Sequence, residues 1–150
     1  MAAGSSLLDD LLARFPVLAS RLPGLERAAQ TDAPVLILGE PGSGRSTLCR
    51  ALHRSSRRAP GPLVEVDAAG IPASLFESEL FGHRAGAFTG AGASQPGRVA
   101  RAEAGTLLLD HVDQLPLAVQ PKLLRLLAER RFTPLGGDER QADVRFVAVA

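Results

Sequence analysis

A buried strand that runs directly into a glycine-rich turn constrains the fold of this chain more than any other feature. Residues 35–38 read VLIL, and the octapeptide GEPGSGRS follows at residues 39–46. The apolar run predicts a strand covered on both faces, as in parallel sheets, and the pattern after the turn predicts a helix at about residues 46–54. Glycines let the backbone N–H groups of such a turn point inward, where the positive end of the helix dipole adds to them. The segment therefore predicts a phosphate-binding loop at the edge of a parallel sheet.

The rest of the chain alternates between strand patterns and helix patterns. Further apolar runs predict strands at residues 63–66, 106–110 and 144–150. Apolar residues at helical spacing predict helices at residues 7–15, 25–30 and 116–130, and another helix that ends with residues 79–81. Strands that alternate with helices predict an α/β fold with a parallel sheet.

Three segments carry more specific predictions. In the helix at residues 116–130, four leucines are predicted to face the core, namely Leu123, Leu124, Leu126 and Leu127. Residues 83–97 are rich in Gly and Ala with little periodicity, which predicts a long loop. The basic run at residues 54–58 predicts a solvated helix end.

The composition limits the class of protein. The chain has 150 residues, of which 45% are hydrophobic and 22% are charged, which predicts one folded domain with a hydrophobic core. A net charge of only +1 argues against a broad nucleic-acid surface, so we expect no direct DNA contact from this segment. The single Cys49 allows no internal disulfide, and the sequence has neither a membrane-spanning apolar run nor the pattern of a signal peptide. We therefore expect a soluble, cytoplasmic protein without a membrane contact.

The turn at residues 39–46 matches the nucleotide-binding pattern GxxxxGK[ST] except at one position. Arg45 stands where that pattern has Lys, and its planar fork is wider than the compact ammonium group of Lys. Ser46 supplies a hydroxyl for Mg²⁺. The expected nucleotide-binding residues are Gly39, Glu40, Pro41, Gly42, Ser43, Gly44, Arg45, Ser46 and Thr47. A glycine-rich turn without a nucleotide is the alternative, but the strand before the turn and the helix after it favour nucleotide binding.

A second motif, GAFTGA at residues 86–91, has no acid, base, nucleophile or metal ligand. Its glycines allow backbone angles that other residues resist, and Phe88 is an apolar tip that is unfavourable in water unless a partner receives it. The motif therefore predicts a mobile loop that contacts a partner surface. The expected partner-binding residues are Gly86, Ala87, Phe88, Thr89, Gly90 and Ala91.

The GAFTGA motif and the preceding ESELFGHR at residues 77–84 resemble the AAA+ ATPase domain of sigma-54-dependent bacterial enhancer-binding proteins. The resemblance covers residues 25–150 and implies an α/β P-loop NTPase (AAA+) three-layer sandwich with a parallel sheet, incomplete at the C-terminus. The family's fifth strand, helical lid and DNA-binding domain have no counterpart in the sequence, and residues 1–24 are then an N-terminal helical segment. Without a fifth strand, the family's sheet order places the strand at residues 35–38 at an exposed, apolar edge.

The resemblance also implies cofactors, partners and residue roles. ATP and Mg²⁺ would be the cofactors, with Ser46 and Asp110 on the metal, since GTLLLDHV at residues 105–112 resembles the family's acidic Walker B strand. Asp110 and His111 would be the catalytic candidates. Residues 86–91 would contact sigma-54 of RNA polymerase, and the rings of the family imply a homo-oligomer.

Three positions depart from the family's pattern. Arg45 replaces Lys, His111 replaces the Glu that polarises the attacking water, and Asp67 replaces the Asn that restrains this Glu. His111 can accept a proton, but a solvated residue at a strand end is the alternative that we favour. Two functional hypotheses follow, so the question of enzymatic activity stays open. The first is an ATP-binding module of a transcriptional activator that acts on sigma-54, and the second is a degenerate, hydrolysis-deficient module or remnant that at most binds sigma-54.

Overall fold

Four parallel strands form the central sheet in the computed structural model, which describes residues 7–150. The strands of the described chain are β1 Val35–Ile37, β2 Leu63–Asp67, β3 Gly82–His83, β4 Gln95–Pro96, β5 Thr106–Asp110, β6 Arg131–Phe132, β7 Arg140–Gln141 and β8 Arg145–Val149. The central sheet has the order β1-β8-β5-β2, while β3 pairs with β4 and β6 with β7 as short antiparallel hairpins. The predicted parallel α/β sheet is confirmed.

Helices cover both faces of this sheet. They are α1 Leu7–Arg14, α2 Leu22–Ala29, α3 Arg45–Arg54, α4 Ala73–Phe81, α5 Arg98–Arg101 and α6 Gln120–Glu129. Short 3₁₀ turns lie at Pro16–Arg21, Ala68–Gly70 and Val112–Gln114. Because each long crossover contains a helix, the strands that it connects run parallel.

The core lies on both sides of β5, because successive side chains of a strand point to opposite faces. Leu107 and Leu109 join a large apolar cluster with residues of α4, α5 and α6, whereas Leu108 joins a smaller cluster with Cys49 of α3. Each fully buried leucine of this kind contributes about 2 kcal/mol of hydrophobic stabilisation. This arrangement is the three-layer sandwich that the resemblance implied.

The structure corrects the prediction for residues 116–130 in two respects. Helix α6 begins at Gln120, because residues 116–119 form a turn. Leu123 and Leu126 are buried and Leu127 packs against the core, but Leu124 is 66% exposed, so its predicted core position is wrong. At 100° per residue, Leu124 lies on the outer face of the helix between its two buried neighbours.

The segment at residues 83–97 is also more ordered than a long loop. Its two ends belong to strands β3 and β4, in which Gly82 pairs with Pro96 and His83 pairs with Gln95. A parallel bridge between His83 and Leu135 then connects this hairpin to the segment between β6 and β7. Strands of two residues are too short to show periodicity in a sequence, which explains why the pattern did not reveal them.

The predicted edge position of the first strand is confirmed for the described chain. Strand β1 pairs with β8 on one side and ends the sheet order on the other. Leu36 is 57% exposed and Leu38, directly after β1, is 71% exposed. This edge therefore presents apolar side chains and unpaired backbone groups to solvent.

Candidate functional site

The loop between β1 and α3 has the conformation that its glycines predict. Gly42 and Gly44 have φ angles of +79° and +87°, in the left-handed region that residues with a Cβ rarely adopt. Gly44 is the N-cap of α3 and has no side chain to bond the first-turn N–H groups of the helix. These N–H groups and the positive end of the helix dipole therefore face the loop, where they favour an anion.

Arg45 lies along the inside of this loop. A Cβ on Gly39 would lie 3.3 Å from the Arg45 Cδ and 2.9 Å from the Ser43 Oγ. The absence of a side chain at Gly39 thus makes room for the aliphatic stem of Arg45. This close packing makes Arg45 part of the loop wall.

An apolar pocket of about 330 Å³ adjoins the loop. Its apolar lining comes from the N-terminal segment and from the strand and helix around the loop, namely Leu11, Phe15, Val17, Ile37, Leu38 and Leu48. The Phe15 ring approaches within 3.9 Å of the position that a Cβ on Gly44 would occupy. The pocket therefore places an apolar surface directly beside the polar mouth of the loop.

The carboxyl ends of β2 and β5 bring two carboxylates to the same sheet edge. Asp67 and Asp110 are register partners on these neighbouring strands. Ser46, in the first turn of α3, donates a hydrogen bond from its Oγ to Asp110 Oδ2 at 3.1 Å, and the backbone N–H of His111 donates to Asp110 Oδ1 at 2.9 Å. The structure thus joins Ser46 and Asp110, which are 64 residues apart in the sequence.

His111 is held in an unusual backbone conformation at this edge. Its φ and ψ are 51° and 49°, and it caps the short turn Val112–Gln114. Its Nδ1 lies 2.8 Å from Asp67 Oδ1 and 3.7 Å from Asp110 Oδ1. The hydrogen bond from His111 holds the pKa of Asp67 below its usual value, because it stabilises the ionised carboxylate. His111 is therefore a partnered residue and not a freely solvated one.

The GAFTGA loop lies on the β3–β4 hairpin, outside the central sheet. Gly86 and Gly90 have φ angles of +79° and +98°, and Gly86 N–H donates to Ala91 C=O at 2.7 Å, which closes a tight loop. Phe88 is 40% exposed, with its ring centroid 5.0 Å from that of His83 in an edge contact. Ala87 and Thr89, the other two members of the motif, lie within the same turn.

The sequence reasoning missed two arginines whose partners lie near the amino ends of β1 and β8, at the sheet edge opposite the phosphate loop. Of the basic run predicted to be solvated, Arg54 and Arg57 are exposed, but Arg58 donates to Asp32 at 2.8 Å and to Asp143 at 2.5 Å, so the prediction is wrong at Arg58. Arg145, which is 0% exposed, donates to the backbone carbonyls of Ala28 and Ala29 at the end of α2. Desolvation lowers the pKa of Arg145. The signal that could have identified Arg145 is a charged residue at the start of an otherwise apolar strand.

Within residues 7–150, no group of three or more His, Cys, Asp or Glu side chains is arranged to hold a metal ion. None of the helices in that range is long and apolar enough to cross a membrane.

The chain is similar in sequence to one known family of proteins. The family profile described as the Sigma-54 interaction domain matches residues 11–150. The chain is 49% identical over 140 residues to the nitric oxide reductase transcription regulator NorR2 of Cupriavidus necator, covering 93% of this chain and 27% of that protein. It is 45% identical over 139 residues to the regulatory protein AtoC of Escherichia coli, covering 92% of this chain and 30% of that protein.

Solved structures of a related protein are also similar to this chain. NtrX from Brucella abortus matches with a TM-score of 0.80 at 34% identity, covering 89% of this chain and 30% of that one. A structure of NtrX in complex with ATP matches with a TM-score of 0.77 at 32% identity, covering 100% of this chain and 30% of that one. The chain thus spans less than a third of the length of these relatives, and its fold is that of their P-loop NTPase domain.

Proposed function

Because the chain belongs to the family of sigma-54 interaction domains, we propose that it binds ATP with Mg²⁺ at residues 39–47 and contacts sigma-54 through residues 86–91. The observation that carries the proposal is the hydrogen bond between Ser46 Oγ and Asp110 Oδ2 at 3.1 Å. This bond places two oxygen ligands at the first turn of α3, where the loop offers its N–H groups. A relative of this chain, NtrX, has been solved in complex with ATP, which supports the choice of nucleotide.

The residues at the loop fit a nucleoside triphosphate. Gly42 has open space around the position of a Cβ, and the N–H groups of the loop and of the α3 first turn are donors for phosphate oxygens. Arg45 adds a positive charge along the loop wall. The neighbouring apolar pocket, with Phe15 at its side, is the proposed place of the nucleobase, since such pockets combine an apolar lining with a few polar groups.

The same edge also fits Mg²⁺ with few protein ligands. Mg²⁺ prefers oxygen ligands and keeps several of its waters, so Ser46 and Asp110 are enough protein ligands beside phosphate oxygens. When bound, Mg²⁺ neutralises developing negative charge on the phosphates. Asp110 and Ser46 would hold it, and the N–H group of His111 keeps the Asp110 carboxylate in place through its bond to Oδ1.

The loop at residues 86–91 is the proposed contact with sigma-54. Phe88 is partly exposed on a turn closed by Gly86 and Ala91, so an apolar tip is presented on a defined stalk. The name of the relative NorR2 describes a transcription regulator, which supports a partner in the transcription machinery. In this proposal the segment regulates transcription without touching DNA itself, assembles with further copies of the chain, and works in the cytoplasm, where RNA polymerase is found.

Two experiments test the two halves of this proposal. A fluorescent ATP analogue with Mg²⁺ should bind the chain, and Ser46→Ala should weaken this binding, whereas Leu117→Ala, at a side chain that is 81% exposed, should not. Purified sigma-54 should bind the ATP-loaded chain, and Phe88→Ala should abolish that binding without changing nucleotide affinity. No binding of the ATP analogue at millimolar concentrations would refute the first half, and unchanged sigma-54 binding by Phe88→Ala would refute the second.

The packing of Arg45 favours a second candidate, a degenerate module that binds ATP but does not hydrolyse it. The stem of Arg45 follows the loop wall near Gly39, and its planar fork does not have the shape of a lysine ammonium group. The double variant Arg45→Lys, His111→Glu should then hydrolyse ATP much faster than the wild type. A wild-type rate equal to or above that of the double variant would eliminate this candidate.

A further inference from the structure

The guanidinium group of Arg145 connects the central sheet to the N-terminal helices. Arg145 is the first residue of β8 and is 0% exposed. Its Nη1 donates to the Ala29 carbonyl oxygen at 3.3 Å, and its Nη2 donates to the Ala28 carbonyl oxygen. We infer that Arg145 is a positioning residue for the nucleobase, because it fixes the end of the segment that carries Phe15 to the phosphate loop. This inference rests on the proposed function, since it assigns a role at the proposed nucleobase pocket.

The contact between Arg145 and α2 holds the helix in one position. The last carbonyl groups of a helix have no partner within the helix, and they lie at the negative end of its dipole. A guanidinium group suits them, because its rigid fork of N–H donors can reach two carbonyl oxygens at once. Both sides of the contact are buried, since Ala29 is 2% exposed. Loss of the contact would leave a buried charge and buried carbonyl oxygens without their partners, which is costly.

A continuous path of packed helices joins this contact to the phosphate loop. Helix α2 contacts α3 and the 3₁₀ turn Pro16–Arg21, and that turn contacts α1. Phe15 lies between α1 and the turn, where its N–H donates to the Leu11 carbonyl oxygen at 2.8 Å. The Phe15 ring then lies against the loop, 3.9 Å from the position that a Cβ on Gly44 would occupy. The segment is therefore fixed by Arg145 at one end of the sheet and reaches the phosphate loop at the other.

Two further contacts hold the end of α2, and in both of them the side chain of the segment is exposed. Gln30 Nε2 donates to the Ser55 carbonyl oxygen at 3.1 Å, and Asp32 pairs with Arg58 at 2.8 Å. Exposed polar contacts of this kind contribute little, because water competes for the same groups. Among the described contacts, Arg145 is thus the buried anchor. Its removal should loosen the segment and leave the phosphate loop, which belongs to β1 and α3, in place.

The two parts of a nucleotide should therefore respond differently to a change at Arg145. Phosphates would bind the N–H groups of the loop and of α3, whereas the nucleobase would lie against Phe15. Arg145→Met keeps the apolar bulk and removes the donors. It should weaken the binding of ATP with Mg²⁺ about 10-fold, since a misplaced aromatic ring no longer stacks on a base. The binding of inorganic tripolyphosphate with Mg²⁺ should stay nearly unchanged, and isothermal titration calorimetry measures both dissociation constants.

Further variants connect this loss to the path through Phe15. Phe15→Ala should show the same selective loss, and the double variant with Arg145→Met should bind ATP as Phe15→Ala does, because residues that act as a unit are not additive. Arg145→Lys keeps the charge but not the fork, so it should show a smaller loss of the same kind, and it replaces Arg145→Met if that variant does not fold. Two controls should keep the wild-type ratio of the two dissociation constants. They are Arg101→Met, at an exposed arginine, and Leu126→Ala, which destabilises the opposite side of the sheet.

Hydrogen–deuterium exchange of the wild type gives a second readout that needs no substitution. By linkage, ATP should slow backbone exchange in α1 and α2 more than tripolyphosphate does, since only ATP carries a nucleobase. Equal protection by the two ligands would overturn the inference.

The binding measurements separate this inference from the proposed function. If Arg145→Met loses affinity equally for ATP and tripolyphosphate, or for neither, the inference fails while the ATP-binding proposal stands. A wild type that binds ATP but not millimolar tripolyphosphate would overturn it too, because the loop would then not hold phosphates by itself. A wild type that binds neither ligand would refute the proposed function.

Discussion

Replacing Gly97 with alanine is expected to disrupt the base of the hairpin that carries residues 86–91. A Cβ at Gly97 would lie 2.3 Å from the backbone N of Gly82, 2.4 Å from the C=O oxygen of Leu80 and 2.4 Å from the carbonyl carbon of Phe81. All three atoms belong to the backbone, so no side-chain rotation can relieve the contact. The φ of Gly97 is −78°, which alanine adopts readily, so the whole penalty is steric.

The expected loss in the free energy of unfolding follows from these backbone contacts. Forcing an extra methyl group into a filled site costs about 1–3 kcal/mol, and contacts with rigid backbone place Gly97→Ala at the upper end of that range. Alanine also lowers the conformational entropy of the unfolded chain, and this effect offsets at most about 1 kcal/mol of the steric cost. We therefore expect the free energy of unfolding to fall by about 2 kcal/mol.

Urea unfolding followed by far-UV circular dichroism measures this loss. Gly92→Ala is the matched control in the same hairpin, because a Cβ at Gly92 meets no atom within 4 Å. The control should stay within about 0.5 kcal/mol of the wild type. If Gly97→Ala is as stable as Gly92→Ala, the steric reasoning for the hairpin base is wrong.

Three further predictions concern the core, an ion pair and the thiol. Leu126→Ala, at a side chain that is 0% exposed, should lower the free energy of unfolding by about 2–5 kcal/mol. Leu124→Ala, on the exposed face of the same helix, should change it by less than about 0.5 kcal/mol. Equal losses in urea unfolding would contradict the helix face assigned to these two residues. The hydrogen bond from Arg58 lowers the pKa of Asp32 from 3.8, so this ion pair stabilises the native state above that pH and loses its effect as the pH falls through the lower native pKa. Asp32→Asn should therefore reduce stability at neutral pH by less than about 1 kcal/mol and have no effect in strong acid, and a difference that persists in acid would refute the assignment. Burial raises the pKa of Cys49 to about 12, so an alkylating reagent should modify this thiol only after denaturation, and labelling of the native chain at the unfolded rate would contradict its burial.

Most of the secondary structure was predictable because its causes are local. The unbroken apolar run of β5 and the glycine-rich loop before α3 each carry enough pattern to identify a strand or a turn. Leu124 was placed wrongly because four leucines in five positions do not reveal which face of a helix is buried. The β3–β4 hairpin was missed because its strands, held by Gly82 and Gly97, are defined by close backbone contact and not by side-chain periodicity.

The candidate site was predictable only in part. The proximity of Ser46 and Asp110 followed from their positions after strands of one parallel sheet, since such ends meet at the same edge. The bond between Asp67 and His111 did not follow, because it depends on the register of β2 against β5 and on the left-handed backbone at His111. The roles of these residues in ATP binding and the role of residues 86–91 toward sigma-54 stay predictions.

The sequence by itself determined the order of strands and helices, the phosphate loop and the exposed Phe88, because each depends on residues that are neighbours in the chain. Only the tertiary structure decided the partners of residues far apart in the chain. Arg58 contacts Asp143 across 85 positions, and His111 contacts Asp67 across 44. Such pairs form when the sheet brings distant segments of the chain together. No single segment of the sequence shows which of these contacts will form.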